Sequence, residues 1–414
     1  MAFAERIGVG SWRVRYWTDA GVHGTVSGFR TAAEARAKAA EIDTDQRRGS
    51  FIDPAGGKIT VAAWARRWCE ALDVAPATYA QYRSLINNHI LPRWGATALG
   101  ELSGSTINVW ASGLRRAGYA DSTVVTIVKV LSMMLADAAQ ERLIPTNPVR
   151  AQRRGRQHHT RRREIVWASP QQVVAIAVQA GELVGPWAAM LLITAGWTGA
   201  RWGELTGLQR HNLHLDPHRG LGRMVIDPRV GALHEVGAEM FLGPPKTAES
   251  ARTITLPRFL VDALIRHLDS HQHPHVFVTE RQELLRRSNF ARRALRPATD
   301  GNQHRPHAPV RTRPILAGLT FHGLRHSHKT WMIADHIPDA AQARRLGHTL
   351  PDKIADIYSH IAPELDAHLL DRLQTRWQDA TATLRIDAHH RPSSSGSTFP
   401  ALPAIDPGTA TVVG

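Results

Sequence analysis

Four stretches in the second half of the chain hold residue types that suit phosphate chemistry. In TGARWGELTGL (198–208), Arg201 follows a glycine-containing turn and opens a short helical segment. Glu204 falls one turn on, on the same side. The flanking sequence is apolar, so Arg201 is expected to be at least partly buried, and a buried guanidinium requires an anionic partner. Glu204 can be that partner, or it can orient Arg201 toward a phosphate; a surface Arg–Glu pair is the plainer alternative. In GPPKTAESARTITLP (243–257), Lys246 is expected near the tip of a hairpin turn that leads into a strand. Alone, a lysine on a turn is merely solvated. In FHGLRHSHKTWMI (321–333), His322 and Arg325 share a helix face, with His326, His328 and Lys329 close by. In RRLGHTLPDKIADIYSHI (344–361), a helix ends at Gly347, a residue suited to the position after a C-cap, and His348 follows exposed on the turn. A second helix is expected from about Thr349. It places Ile354, Ile357, Tyr358 and Ile361 on one face, where a tyrosine serves packing as readily as chemistry.

Metal chemistry is a poor fit to these residues. Cys69 is the sole cysteine, which rules out an intrachain disulfide and a cysteine-based zinc site, and no HExxH-like carboxylate accompanies the histidines. A second cluster, HQHPHVFV (271–278), suggests a metal-dependent nuclease with two histidines around an apolar residue. Gln272 and Pro274 break that pattern among His271, His273 and His275, so the segment reads as a loop entering a strand VFV. No metal and no cofactor are expected.

The charge identifies the class of partner. Lys and Arg number 51 against 36 Asp and Glu, a formal net charge of +15 over 414 residues. A chain this basic meets a polyanion, nucleic acid first. A GC-rich genome explains arginine in place of lysine (the lysines are Lys38, Lys58, Lys129, Lys246, Lys329 and Lys353) but not the excess of bases over acids. The N-terminus lacks an apolar signal core. The longest apolar run, PWAAMLLITAGW (186–197), is too short for a bilayer and reads as a buried helix. A cytoplasmic location with no membrane partner is expected.

These residues need a scaffold, and the composition along the chain outlines one. Residues 1–55 form a small α/β module: SWRVRYW alternates as a strand, AGVHGTVSGF supplies a turn and another strand, and Thr31 caps an alanine-rich helix. Residues 59–148 read as a helical bundle. Thr60 caps a first helix with Val61, Trp64, Trp68 and Leu72 on one side, Pro92 ends a second, and PTNP closes the fourth. A basic linker, 149–164, carries Arg150, Arg153, Arg154, Arg156, Arg161, Arg162 and Arg163 with no acid before Glu164. It is a solvated connector or a strap along phosphates. Residues 165–375 form the largest unit, α-rich with a small sheet that includes GRMVIDP and ARTITLP. Residues 381–414 read as a disordered tail. The fold class is multidomain and mainly α.

Taken together and in order, the arginine in TGxRxxE, the turn lysine, HxxR, LGH and a tyrosine ten residues later resemble the catalytic domain of the tyrosine recombinase (phage integrase) family. The resemblance runs closely from Thr198 to His360, and residues 59–148 resemble that family's core-binding domain. The other tyrosines, Tyr16, Tyr79, Tyr82 and Tyr119, precede the linker, which leaves Tyr358 as the one candidate nucleophile. The resemblance implies metal- and ATP-independent cleavage of DNA, with Tyr358 attacking the scissile phosphate to give a 3′-phosphotyrosyl link. It further implies Arg201, Arg325 and His348 as donors to the phosphorane, Lys246 as general acid to the leaving 5′ oxygen, His322 as base and Glu204 as the residue that orients Arg201. Double-stranded attachment sites are the implied substrate and a homotetramer on DNA the working assembly, with a DNA-bending protein and a directionality factor as candidate accessories. The N-terminal module is similar to an arm-type DNA-binding domain, with dimerisation as its alternative role. The implied function is integration and excision of a mobile element. Chromosome-dimer resolution, type IB topoisomerase-like strand passage and an inactive DNA-binding protein are the alternatives.

Overall fold

A computed structural model describes residues 1–18, 21–49, 51–53, 56–149, 164–348 and 363–389, the side chains of 384–389 aside. It divides into two compact units, 1–159 and 160–414.

The first unit begins with an antiparallel sheet, β1 (Phe3–Gly8), β2 (Ser11–Trp17) and β3 (His23–Phe29), in that spatial order. Val14 and Tyr16 alternate inward from β2 onto α1 (Ala32–Arg48), whose Ala35, Ala39 and Ile42 complete a small core. A capping box starts α1, the Thr31 hydroxyl accepting from the Glu34 N–H, and Gly49 in the left-handed region ends it. Strand β1 has no counterpart among the sequence expectations. Its Phe3 and Ile7 are exposed, so no apolar alternation marks it; pairing with β2 makes it a strand.

Next come α2 (Val61–Glu70), α3 (Pro76–Leu85), α4 (Leu91–Trp94), α5 (Gly104–Arg116) and α6 (Asp121–Gln140). Pro92 does not end the second helix of this bundle. A π turn, Ile86–Ile90, joins α3 to α4, with the Leu91 N–H donating to the Ile86 carbonyl. That extra residue puts Pro92 in the first turn of α4, where a missing N–H costs nothing. Among the described residues α6 alone is long and apolar enough to cross a membrane, but Ile127, Val130, Leu131, Met134 and Leu135 are buried in the bundle core. The indole N–H groups of Trp64 and Trp68 donate to the Met134 carbonyl and the Asp137 carboxylate, at 2.7 and 2.6 Å, fastening α2 to α6.

The second unit is built on α7 (Pro170–Val184) and α8 (Pro186–Thr198). Then follow α9 (Trp202–Thr206), β4 (Leu213–Asp216), β5 (Leu221–Ile226), β6 (Ala232–Val236), β7 (Glu239–Gly243), β8 (Arg252–Leu256) and α10 (Arg258–Asp269). The chain continues through α11 (Arg287–Phe290), a π turn (Ala291–Leu295), α12 (Arg296–Asp300), α13 (Phe321–Ala334), α14 (Asp339–Leu346) and α15 (Pro363–His389). Ser169 caps α7 with Pro170 in its first turn, and the helix over PWAAMLLITAGW is buried as expected. Trp197 at the end of α8 is the hub: its ring meets Trp331, Trp377 and Phe259, and its N–H donates to the Leu373 carbonyl of α15 at 3.0 Å.

Three local expectations are corrected. The turn lysine is not on a hairpin: β7 pairs with β6, whereas β8 pairs with β5 in a separate β4–β5–β8 sheet, so 244–251 links two sheets. VFV (276–278) is buried but is not a strand; the Val276 N–H donates to the Leu208 carbonyl beside a single bridge, Gln209 to His275. Lastly, α15 runs past Thr381, where a disordered tail was expected; Thr381 is itself buried, its hydroxyl donating to the Trp377 carbonyl at 2.9 Å.

Candidate active site

Two glycines in the left-handed region shape the site. Gly199 (φ 65°) caps α8 and turns the chain into Arg201; Gly347 (φ 65°) caps α14 and turns it into His348. A Cβ on Gly199 would lie 2.7 Å from Leu346 Cδ2 and 2.9 Å from His328 Cδ2. On Gly347 it would lie 2.8 Å from the Glu249 carbonyl oxygen. Neither position has room for a side chain, and this close approach lets Arg325 reach the Gly199 turn and Arg201 the Gly347 turn. Arg325 Nη1 donates to the Gly199 carbonyl at 2.8 Å, and Arg201 Nη2 donates to the Gly347 carbonyl at 3.3 Å. The two turns and two arginines therefore lock each other.

Arg201 is the N-cap of α9, and Glu204 is the third residue of that helix. The Glu204 carboxylate accepts from the Arg201 backbone N–H at 2.9 Å and from its Nη1 at 2.7 Å. It also accepts from Arg252 Nη2 at 3.0 Å. Burial alone would raise the Glu204 carboxyl's pKa; Arg252 and Arg201 overcome this and hold it below the usual carboxylate range. Arg201 Nη1 makes a further bond to Ser250 Oγ, at 2.8 Å.

Arg325 lies one turn into α13 and is 4% exposed. Its Nη2 donates to the Leu346 carbonyl and to His348 Nε2, the latter at 2.8 Å. Because Nε2 accepts, the proton of the neutral His348 ring sits on Nδ1. Burial, then Arg201 and Arg252, pull the Arg325 pKa down to about 9. Desolvation, then Arg325 and Arg201, pull His348 down to about 4. His322 is exposed at the start of α13; burial of its ring, then His326, Arg325 and Arg201, lower it as well. Among the described residues Glu204 is the only carboxylate bonded to these arginines. The pocket therefore carries an excess of positive charge, which favours occupation by an anion.

Behind this surface is an inner layer that the sequence reading did not single out. Arg252 Nε donates to the Arg345 carbonyl at 2.7 Å and its Nη1 to the Ser250 carbonyl at 2.7 Å. Arg345 Nε donates to His328 Nε2 at 2.8 Å, its Nη2 to the Trp197 carbonyl at 3.0 Å, and its Nη1 to the Thr255 carbonyl at 3.2 Å. His328 is fully buried, with Nδ1 bonded to the Gly196 carbonyl, and burial then Arg345 keep it neutral. The sequence carries no signal for them: Arg345 follows Arg344 in a polar stretch, and Arg252 sits among Glu249, Ser250 and Thr253.

No family model matches the chain. A chain named as the prophage phiRv2 integrase of Mycobacterium tuberculosis is 27% identical over 385 residues, covering 88% of this chain and 93% of that relative. A tyrosine recombinase XerC-like protein of Caldanaerobacter subterraneus is 23% identical over 376 residues, covering 83% and 90%. Among solved structures, the Tn1549 transposon integrase in complex with a circular intermediate DNA superposes with a TM-score of 0.56 at 17% identity, covering 76% of this chain and 99% of that one. A lambda integrase in a tetramer bound to a Holliday junction gives 0.50 at 18%, covering 85% and 96%. Over most of its length the chain is similar to integrases and to a tyrosine recombinase, and its fold is that of the integrase structures.

Of the site residues expected from the sequence, the structure brings Arg201, Glu204, Arg325 and His348 into one bonded cluster, and the charges of Arg325 and Arg201 lower the pKa of His322 beside it. Lys246 is exposed on the 244–251 link, and no hydrogen bond to the cluster is described for its amine. Tyr358 and the linker arginines Arg150, Arg153, Arg154, Arg156, Arg161, Arg162 and Arg163 lie outside the described residues. The segment holding Tyr358 is bounded by His348, bonded to Arg325, and by α15, which Trp377 and Leu373 bury in the core. His271, His273 and His275 form no metal-binding group among the described residues; Arg210 ties their loop down instead, through the His271 and His273 carbonyls.

Proposed function

We propose that this site-specific recombinase cleaves and rejoins double-stranded DNA at attachment sites, through a 3′-phosphotyrosyl link to Tyr358, to integrate and excise a mobile element. The observation that carries the reading is the paired guanidiniums of Arg201 and Arg325, each braced by backbone carbonyls in a pocket with one carboxylate. Such preorganised cations suit the two non-bridging oxygens of a phosphodiester as it becomes a dianionic phosphorane. His348 adds a third donor. Its ring is neutral near pH 7, so it can donate a hydrogen bond to an oxygen.

In the forward step the Tyr358 phenolate oxygen bonds to phosphorus as the bond to the 5′ oxygen breaks. The phenol proton passes to His322, whose pocket keeps it neutral and able to accept. The leaving 5′ oxygen takes a proton from Lys246. Religation reverses these transfers, and the bond energy stored in the phosphotyrosyl ester makes ATP unnecessary. Glu204 holds Arg201 in register. Residues 1–55 serve as an arm-type DNA-binding module, 59–148 as the core-binding domain, 165–375 as the catalytic domain, and the basic linker runs along phosphates. The working form is a homotetramer on DNA in the cytoplasm, with a DNA-bending protein and a directionality factor as accessories.

The test is a nicked suicide substrate carrying the mapped core site. The wild-type chain should accumulate a covalent protein–DNA adduct, Tyr358→Phe none, and Arg325→Lys should form it about 10²–10³ times more slowly. A wild type that forms no adduct, or a Phe variant that forms it equally well, rules the reading out.

A further inference from the structure

Lys246 presents a positional problem: a general acid must be held at its leaving group, yet this lysine is exposed on a link between two sheets. The link is fixed at two places. On the β7 side, His234 Nε2 is 2.8 Å from the Pro244 carbonyl. On the β8 side a short helical turn, Ala248–Ser250, places Ser250, which is fully buried. Ser250 Oγ accepts from Arg201 Nη1 at 2.8 Å and lies 3.0 Å from Thr247 Oγ1. The Ser250 N–H donates to the Thr247 carbonyl at 3.1 Å, and the Ser250 carbonyl takes Arg252 Nη1 at 2.7 Å. Thr247 is the neighbour of Lys246. The chain of contacts Arg201–Ser250–Thr247 thus runs from a phosphate-facing guanidinium to the residue beside the lysine.

From this geometry we infer that Ser250, with Thr247, is a positioning pair that registers Lys246 against Arg201, so that the general acid and the phosphorane clamp are set together. Neither hydroxyl touches the reacting atoms. Each acts through another residue: Ser250 holds the last turn of the link against Arg201, and the hydroxyl contact carries that position to Thr247. Ser250 accepts one of the two Nη1 hydrogens of Arg201, and Glu204 accepts the other. The guanidinium is therefore oriented by the same bond that anchors the link. This inference rests on the reading of Lys246 as general acid.

The two claims separate with a 5′-bridging phosphorothiolate, in which sulfur replaces the leaving 5′ oxygen at the scissile phosphate. The bond from Tyr358 to phosphorus still forms and the P–S bond breaks, but the thiolate leaves without a proton and so dispenses with the acid. Adduct formation is measured on matched oxygen and sulfur suicide substrates. Lys246→Ala should be slowed by about 10²-fold or more on oxygen and restored to within a few-fold of wild type on sulfur. Ser250→Ala should be slowed roughly 10- to 100-fold on oxygen and recover in large part on sulfur, short of Lys246→Ala by the share lost through Arg201. Thr247→Val, at an exposed position that should not unfold the chain, should show the same pattern in milder form, and Thr247→Ser should match wild type. If sulfur restores Lys246→Ala but not Ser250→Ala and Thr247→Val, or if these two variants react normally on oxygen, the positioning role is overturned. If sulfur fails to restore Lys246→Ala, the general-acid assignment fails instead. A Thr247→Ser variant as slow as Thr247→Val removes the hydroxyl contact from the account.

Discussion

The buried arginines of the second unit differ in what satisfies them. Arg252 and Arg345 spend their donors on carbonyls, Glu204 and His328, and so serve as struts. Arg325, at 4% exposed, is as buried as these two and bonds the Gly199 and Leu346 carbonyls and His348, whereas the Arg201 side chain is 22% exposed; the charge of both shows in His348, which is neutral down to about 4. A histidine whose folded pKa lies below its unfolded value stays neutral while the unfolded chain protonates. Stability is therefore lost as pH falls from the unfolded value of 6.5 toward 4. An anion between the two arginines reverses the local field and raises the pKa. Imidazole chemical shifts of His348, followed against pH with and without sulfate, should show a midpoint near 4 that moves upward on sulfate addition. An ordinary midpoint in the free protein, or one indifferent to sulfate, contradicts the pocket electrostatics.

Elements meet at this site through their ends. The C-terminus of α8, the N-terminus of α9, the first turn of α13 and the C-terminus of α14 converge, and two left-handed glycines make that convergence tight. Helix α14 closes with the Gly347 N–H donating to the Arg344 carbonyl and the His348 N–H to the Ala343 carbonyl, which fixes where His348 leaves the helix. A side chain at Gly199 or Gly347 adopts the left-handed region at a cost of about 1–2 kcal/mol before any clash is counted. Gly199→Ala and Gly347→Ala should each lower the unfolding free energy in urea by at least that amount. Both should also slow adduct formation, since the carbonyls that hold Arg325 and Arg201 move with them. A variant as stable as wild type would show that the backbone relaxes freely there.

Over the whole molecule, the two units have separate apolar cores, and the basic segment 149–164 joins them. The net charge of +15 makes affinity for DNA steeply dependent on salt, because each neutralised phosphate releases a condensed counterion. If the linker lies along the backbone, replacing Arg153, Arg154 and Arg156 with alanine should lower the slope of log K against log salt by about 2 to 3. Filter-binding or anisotropy titrations over a salt series measure this; an unchanged slope leaves the linker as a tether.

The local geometry of the arginine cluster was legible in the chain because each motif is local. TGxRxxE, HxxR and LGH are each contained in one turn or cap, and the short-range physics that sets a capping glycine or an i, i+3 pair places Arg201 beside Glu204, and His322 one turn before Arg325. Helices with clear periodicity, such as α2 and α6, were legible for the same reason. What the tertiary structure alone decided is non-local. Strand β8 pairs with β5 rather than β7, which turns an expected hairpin into a link between sheets. Pro92 rides in a helix because a π turn rephases the ladder before it. Arg252 and Arg345 reach partners at Glu204, His328 and Trp197, which lie 48, 17 and 148 residues away in the chain. The chain by itself determined which groups could handle a phosphate; only packing decided which arginines face the pocket and which hold it in place, because burial and hydrogen-bond partners are set by segments distant in sequence.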